Sequence, residues 1–163
     1  MQTDRLEALL SRFRVSARLF HSGPLCGVND FAPEQGRGQL HLLGGGELRV
    51  EHPDGSALAV GEPSLLFYPR PHAHRFISDD TRGADMACAF IEFGDGARNP
   101  LTAALPAFVV LPLSALDGAG PRGGIASGFD VYRRSNGSFR ACCVAAALTR
   151  FSQSQPKPEI VRC

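Results

Sequence analysis

Apolar residues recur along this chain with two different periods, and the change of period divides it. Leu6, Leu9, Leu10 and Phe13 fall three and four apart, and Asp4 with Glu7 three residues later supplies a capping box. A short amphipathic helix is predicted there. From about Ala17 the apolar residues come instead in short runs broken by Gly, Pro, Asp and Asn, the texture of an antiparallel β protein. Strands are predicted over about 17–21, 26–31, 38–43, 47–52, 57–60, 64–69, 74–77, 86–93 and 108–113. Turn chemistry in His52-Pro53-Asp54-Gly55-Ser56 lies between two alternating runs and predicts a hairpin over about 47–60. Gly44-Gly45-Gly46 reads as a strand-to-strand turn, since no helix follows it in the way phosphate binding requires.

Composition sharpens the fold class. Eighteen glycines and twelve prolines in 163 residues are too many for a helical bundle. Strands without long intervening helices argue against a doubly wound sheet. An all-β fold closed into a barrel remains, and the length suits one domain. After Leu113 the texture changes: residues 117–124 are linker-like, 138–151 suit one short Ala-rich helix, and the last twelve carry Pro156 and Pro158. The predicted organisation is a barrel with its N-terminal helix over 1–116, then a linker and partly helical tail over 117–163.

Charge and cysteine content exclude several roles. Seventeen basic residues against sixteen acidic ones are scattered, which gives no footprint for a polyanion. The longest apolar runs, such as Ala107-Phe108-Val109-Val110-Leu111, fall far short of the roughly 20 residues a membrane helix needs. Met1-Gln2-Thr3-Asp4-Arg5 leads straight into the helical pattern without a signal-peptide core, so a cytoplasmic location is expected. Five cysteines, with only Cys142 and Cys143 close together, favour free or metal-bound thiols over a disulfide framework.

The chemistry concentrates between Gly38 and Phe76. The segment from Pro63 to His74, with Leu65-Leu66-Phe67-Tyr68-Pro69 at its centre, resembles the second cupin motif, a strand and turn that place a His inside the barrel. Proline stands at 63 and 71 where that motif has glycine, while the spacing to Pro69 and His74 matches. The resemblance puts His74 at the cupin metal-binding position. If Gly46 closes the first motif, Gln39 stands where the family has a Glu ligand, and the His pair ahead of that Glu is missing. Strand parity turns His41 to the same side as Gln39. The alternating sets Met86, Cys88, Phe90, Glu92 and Ala87, Ala89, Ile91, Phe93 are both largely apolar, so parity does not orient that strand.

A narrower resemblance runs through several ordered blocks: Leu25-Cys26-Gly27, Leu40-His41-Leu42-Leu43, Leu65 to Pro71 with His74-Arg75-Phe76, and Ala97-Arg98-Asn99-Pro100-Leu101 before Ala104-Leu105-Pro106. Over about residues 4–116 the chain resembles the N-terminal, effector-sensing cupin domain of a subfamily of AraC-type transcription regulators. The resemblance implies a double-stranded β-barrel, a jelly roll, and carries over Cys26, His41, His74 and Cys88 as recurring positions. Such a Cys2His2 set suits tetrahedral Zn²⁺. Buried free thiols and a hydrogen-bonded core histidine are the competing reading. Gln39, Arg70, Arg75 and Glu92 are candidate effector contacts, Glu92 also as support for a ligand histidine. His72 is expected to face solvent, His52 to lie on the surface and His21 to reach the barrel mouth.

The expected function is a ligand- or metal-sensing cupin domain without its DNA-binding half, because 117–163 carries no helix-turn-helix pattern. Its expected partners are a small-molecule effector or a metal ion, with no direct DNA contact and no membrane, and homodimerisation through sheet edges stays open. The alternative is a stand-alone metal-dependent cupin enzyme of oxygenase or isomerase type. The missing Glu and His pair count against it.

Overall fold

A computed structural model describes residues 15–114, which form nine strands, a 3₁₀ turn and one short helix. The predicted N-terminal helix, the linker and the partly helical tail lie outside the described residues. The strands are β1 (Val15–Leu25), β2 (Val28–Phe31), β3 (Arg37–Gly45), β4 (Leu48–Glu51), β5 (Ala57–Val60), β6 (Ser64–Tyr68), β7 (His74–Ile77), β8 (Ala84–Phe93) and β9 (Val109–Pro112). The helix α1 (Pro100–Ala104) follows the 3₁₀ turn Gly96–Arg98. All pairing is antiparallel, in a five-stranded sheet ordered β1-β8-β3-β6-β9 and a four-stranded sheet ordered β2-β7-β4-β5. Two sheets with these crossing connections make a jelly roll, as predicted.

Two boundaries differ from expectation. Gly23-Pro24 does not end a strand: β1 runs through both residues to Leu25, and the chain breaks instead at Gly27, whose φ is +64°. Proline is tolerated there because β1 is the outer strand of its sheet. The predicted hairpin forms as β4 and β5, closed by His52 N–H donating to the Ser56 carbonyl at 3.0 Å. Of the expected turn Gly44-Gly45-Gly46, the first two belong to β3, and Gly46, at φ +88°, turns it toward β4.

Both faces of the large sheet are apolar. Toward the small sheet lie Phe20, Leu43, Leu66, Met86, Cys88 and Phe90, packed with Leu48, Val50, Val60 and Phe76. On the opposite face, Ala17, Leu40, Leu65, Ile91, Phe93 and Leu113 form a second buried cluster. That double burial is why alternation along β8 left its orientation open.

The registers give the barrel two distinct ends. At one, here called the mouth, β2, β4, β6 and β8 finish and β1, β3, β5, β7 and β9 begin, with the connections 32–36, 52–56, 69–73 and 94–108. The base carries the connections 26–27, 46–47, 61–63 and 78–83, the first three only two or three residues long.

Candidate functional site at the barrel mouth

Strand parity assembles the site. On β3, Gln39 and His41 share the inward face with Leu43; on β6, Tyr68 follows Ser64 and Leu66; on β7, His74 precedes Phe76. His52 continues the inward parity of Leu48 and Val50 just past the end of β4. Gly38 lets β3 approach the end of β6, since a side chain there would run into the Tyr68 and Pro69 backbone. The consequence is a concentration of polar side chains at one end: four of the chain's five histidines lie against the fully buried Tyr68 ring.

His74 is the centre. Its imidazole is stacked between Tyr68, 3.9 Å away at 10°, and Phe31, 4.9 Å away at 5°. His74 Nδ1 lies 2.9 Å from the His72 carbonyl, which can only accept, so Nδ1 carries the proton. Burial holds the His74 pKa down to about 3, so the ring is neutral and Nε2 presents a lone pair. His41 Nε2 lies 3.0 Å from that nitrogen and must therefore be the donor. His41 is fully buried, which drives its pKa well down, with His74 and His21 adding to the effect. The proton assignments leave His41 Nδ1 a bare acceptor, and it has no partner.

A second polarised chain runs along the wall. Ser56 Oγ donates to Asp54 at 2.6 Å, so it accepts from His52 Nδ1 at 3.0 Å. His52 Nε2 then accepts the Tyr68 hydroxyl at 3.0 Å. Burial, followed by neighbouring His72, lowers the His52 pKa against the opposing pull of Asp54. Burial raises the Tyr68 pKa, so the phenol stays protonated and donates. Beside these groups opens a cavity of about 550 Å³, lined by Asp30 to Pro33, by Glu51, His52 and Pro53, and by Ala73, His74 and Arg75.

The structure gathers only part of the expected ligand set. His41 and His74 meet, and Cys88 pairs with His41 across β8 and β3 on the inward face. Cys26 does not join them. It sits in the β1–β2 connection at the base, beyond the full length of β2 from the His74 row, a separation of more than about 10 Å at the rise of a strand. Cys26 is also disulfide-bonded, contrary to the expectation of free or metal-bound thiols, and burial raises the Cys88 pKa so that it stays a protonated thiol. Among the described residues no three His, Cys, Asp or Glu side chains gather as a metal site. The four-residue zinc set therefore does not fit this barrel.

The expected effector contacts also separate. Gln39 is inside, 4% exposed. Arg75 lies on the cavity rim, paired with Asp30 at 2.7 and 3.2 Å. Arg70 is committed elsewhere, donating to the Thr102 and Leu105 carbonyls and so tying the 69–73 connection to α1. Glu92 points past the end of the barrel, exposed and 2.7 Å from Arg37, and cannot support a ligand histidine. His72 and His52 correct their surface assignments, for both are half-buried, with rings 5.3 Å apart. Parity on β4 was the signal for His52. His21 is buried because the register shift between Leu19 and His21 turns it in along with Phe20.

Residues 4–123 match a family model described as Cupin. No curated protein sequence matches the chain. Among solved structures, it is similar to protein NMB1881 from Neisseria meningitidis, at 19% identity and a TM-score of 0.33 over 42% of this chain and 67% of that one. ToxT from Vibrio cholerae O395 aligns at 4% identity and a TM-score of 0.44, over 82% of this chain and 50% of ToxT, so the chain spans about half the length of that protein. A DUF861 family protein from Thermotoga maritima aligns at 12% identity and a TM-score of 0.29, over 55% of this chain and 89% of that one. Among the described residues no helix is long and apolar enough to cross a membrane.

Proposed function

Because the chain belongs to the cupin family, we propose that its barrel is a small-molecule sensor of the kind that AraC-type regulators carry ahead of their DNA reader. The observation that carries this reading is the mouth itself, where a cavity of about 550 Å³ opens onto a buried, neutral His74 whose tautomer is fixed by its partners. Its volume falls in the range that accommodates small organic ligands, and its walls mix aromatic surface with a few placed polar groups. An effector bound there would touch the 32–36 connection, the β4–β5 turn and the start of β7 at once. Binding would thus clamp three strands of the small sheet to the connections that lead to and from the large one, which is how a ligand in this barrel would shift a population of states. The enzyme alternative has less support, since Gln39 replaces the carboxylate ligand and the histidines at the mouth form hydrogen-bonded chains among themselves.

A thermal-shift screen of small organic molecules on the full chain tests the reading. An effector at a hundred times its Kd adds about 2.7 kcal/mol of stability, a rise in Tm of several degrees. His52→Phe, which keeps a ring at the cavity wall but removes its polar atoms, should weaken that rise. A broad screen in which no compound stabilises the chain would remove the proposal.

A further inference from the structure

A row of residues crosses the large sheet at the mouth in strict register: Arg18 on β1 opposite Phe90 on β8, and Phe90 opposite Gln39 on β3. The Arg18 side chain is half-buried. It lies over the Phe90 ring at 5.6 Å, on the side of the sheet that faces the barrel interior. Its Nη2 is buried and has no hydrogen-bond partner. Arg37 reaches the same ring at 5.6 Å, but its charge is taken by Glu34 at 3.2 Å and Glu92 at 2.7 Å. Among the described residues Arg18 has no carboxylate of its own.

At the other end of the row the Gln39 amide is equally unfinished. Its Nε2 donates to the Ala32 carbonyl at 3.1 Å, which fixes the amide orientation, since a flipped oxygen would face another oxygen. Gln39 Oε1 is then buried with no donor to meet it. An orphaned guanidinium nitrogen and an orphaned amide oxygen belong to the two strand neighbours of Phe90. Buried polar atoms of this kind are rare unless something else satisfies them. Ala32 and neighbouring Phe31 line the cavity, so the Gln39 end of the row adjoins it through the Ala32 carbonyl.

We propose that Arg18, Phe90 and Gln39 form the head-group subsite of the effector, and that the effector is a small hydroxycarboxylic acid. The carboxylate pairs with Arg18, an O–H donates to Gln39 Oε1, and the carbon body lies against Phe90. One uncommitted guanidinium matches one carboxylate in charge and in its two-pronged geometry; a phosphate dianion would need a second free cation. The inference rests on the small-molecule reading of the mouth and adds the ligand's chemistry to it.

The probes are 2-, 3- and 4-hydroxybenzoate, mandelate, benzoate and the matching neutral amides, titrated calorimetrically against the full chain, Arg18→Met and Gln39→Leu. Hydroxy acids should bind the native chain and lose at least about tenfold in affinity on Arg18→Met, the scale of a hydrogen bond to a charged group. Arg18→Met keeps the stem over Phe90, so its ligand-free Tm should stand at or above the native value; a purely structural arginine would lower it. Gln39→Leu should erase the preference for hydroxybenzoate over benzoate. Amides that bind as tightly as acids, or acids that bind Arg18→Met unchanged, would overturn the subsite while leaving a small-molecule sensor standing. So would a screen whose binders include none of the hydroxy acids. Failure of every compound in the broad screen would take down the sensor reading as well.

Discussion

Leu43 lies toward the base end of β3, wholly buried in the same apolar cluster as Leu48, Val60 and Met86. His41 and Gln39, two and four residues nearer the mouth on the same inward face, are buried almost as completely yet are polar. The same strand thus serves two purposes over about 13 Å. At the base, most inward groups need only volume and apolar surface, and the polar ones, Ser64 and Asn29, are met by the Glu62 and Cys26 carbonyls. At the mouth, every inward polar atom needs a partner, and the barrel supplies most but not all. His74 and His52 are satisfied through directed chains, whereas His41 Nδ1 and Gln39 Oε1 are left over. Stability is concentrated at one end and unmet bonding capacity at the other.

The largest expected effect breaks the base. Leu43→Ala removes a side chain with no exposed surface and should cost about 2–5 kcal/mol, the range for a buried Leu that leaves a cavity. Equilibrium urea unfolding should show a lower midpoint at an unchanged m-value. Gln39→Leu on the same strand should change stability by less than about 1 kcal/mol, because it removes an unpaired oxygen along with one amide bond. Equal losses at the two positions would mean that the mouth is as tightly constrained as the base.

The contrast also explains how much could be seen in the sequence. The nine strands, the β4–β5 hairpin and the inward facing of His41 follow from alternation and turn chemistry, which are local. The meeting of His41 and His74 was legible through parity combined with the cupin-like turn around Pro69. Cys26 was misplaced because sequence blocks carry no information about which end of a barrel a turn occupies. That depends on the register of β1 against β8 and of β2 against β7. His52 and His72 were assigned to the surface because turn residues usually lie there, and only the packing of two turns against Tyr68 brings them in. Arg18 escaped notice altogether, since an arginine on an edge strand looks like any solvated charge until Phe90 is known to lie beside it.

The next effect is a pH dependence that belongs to the mouth alone. Folding holds the His74 pKa near 3 and that of His41 well below the ordinary 6.5, in both cases chiefly through burial. Below about pH 6.5 the unfolded chain binds protons that the folded chain refuses. The stability these neutral rings contribute is complete above that pH and is lost progressively as pH falls toward 3. Each ring gives a slope approaching about 1.4 kcal/mol per pH unit, so lowering pH from 7 to 5.5 should destabilise the chain by roughly 2–3 kcal/mol. His41→Gln keeps a donor toward His74 but removes one titrating ring, and should cut the slope by about half. Leu43→Ala should lower the whole curve and leave its slope alone, which separates the two ends in one experiment.

The smallest expected effect concerns metal, and it sharpens what kind of polar end this is. A structural zinc site contributes on the order of 10 kcal/mol to folding, so stripping a true site would unfold a domain of this size. The mouth does not have the construction of such a site. His74 Nε2 already accepts from His41, Cys88 is held as a thiol by burial, and Cys26 lies at the base. Dialysis of the native chain against a chelator at pH 7 should therefore leave Tm within about one degree of its starting value. A large fall would mean that His41 and His74 turn their Nε2 lone pairs toward a shared ion rather than toward each other. In that arrangement His41 Nδ1 would carry the proton, and the unpaired atom would become a buried donor instead of a buried acceptor.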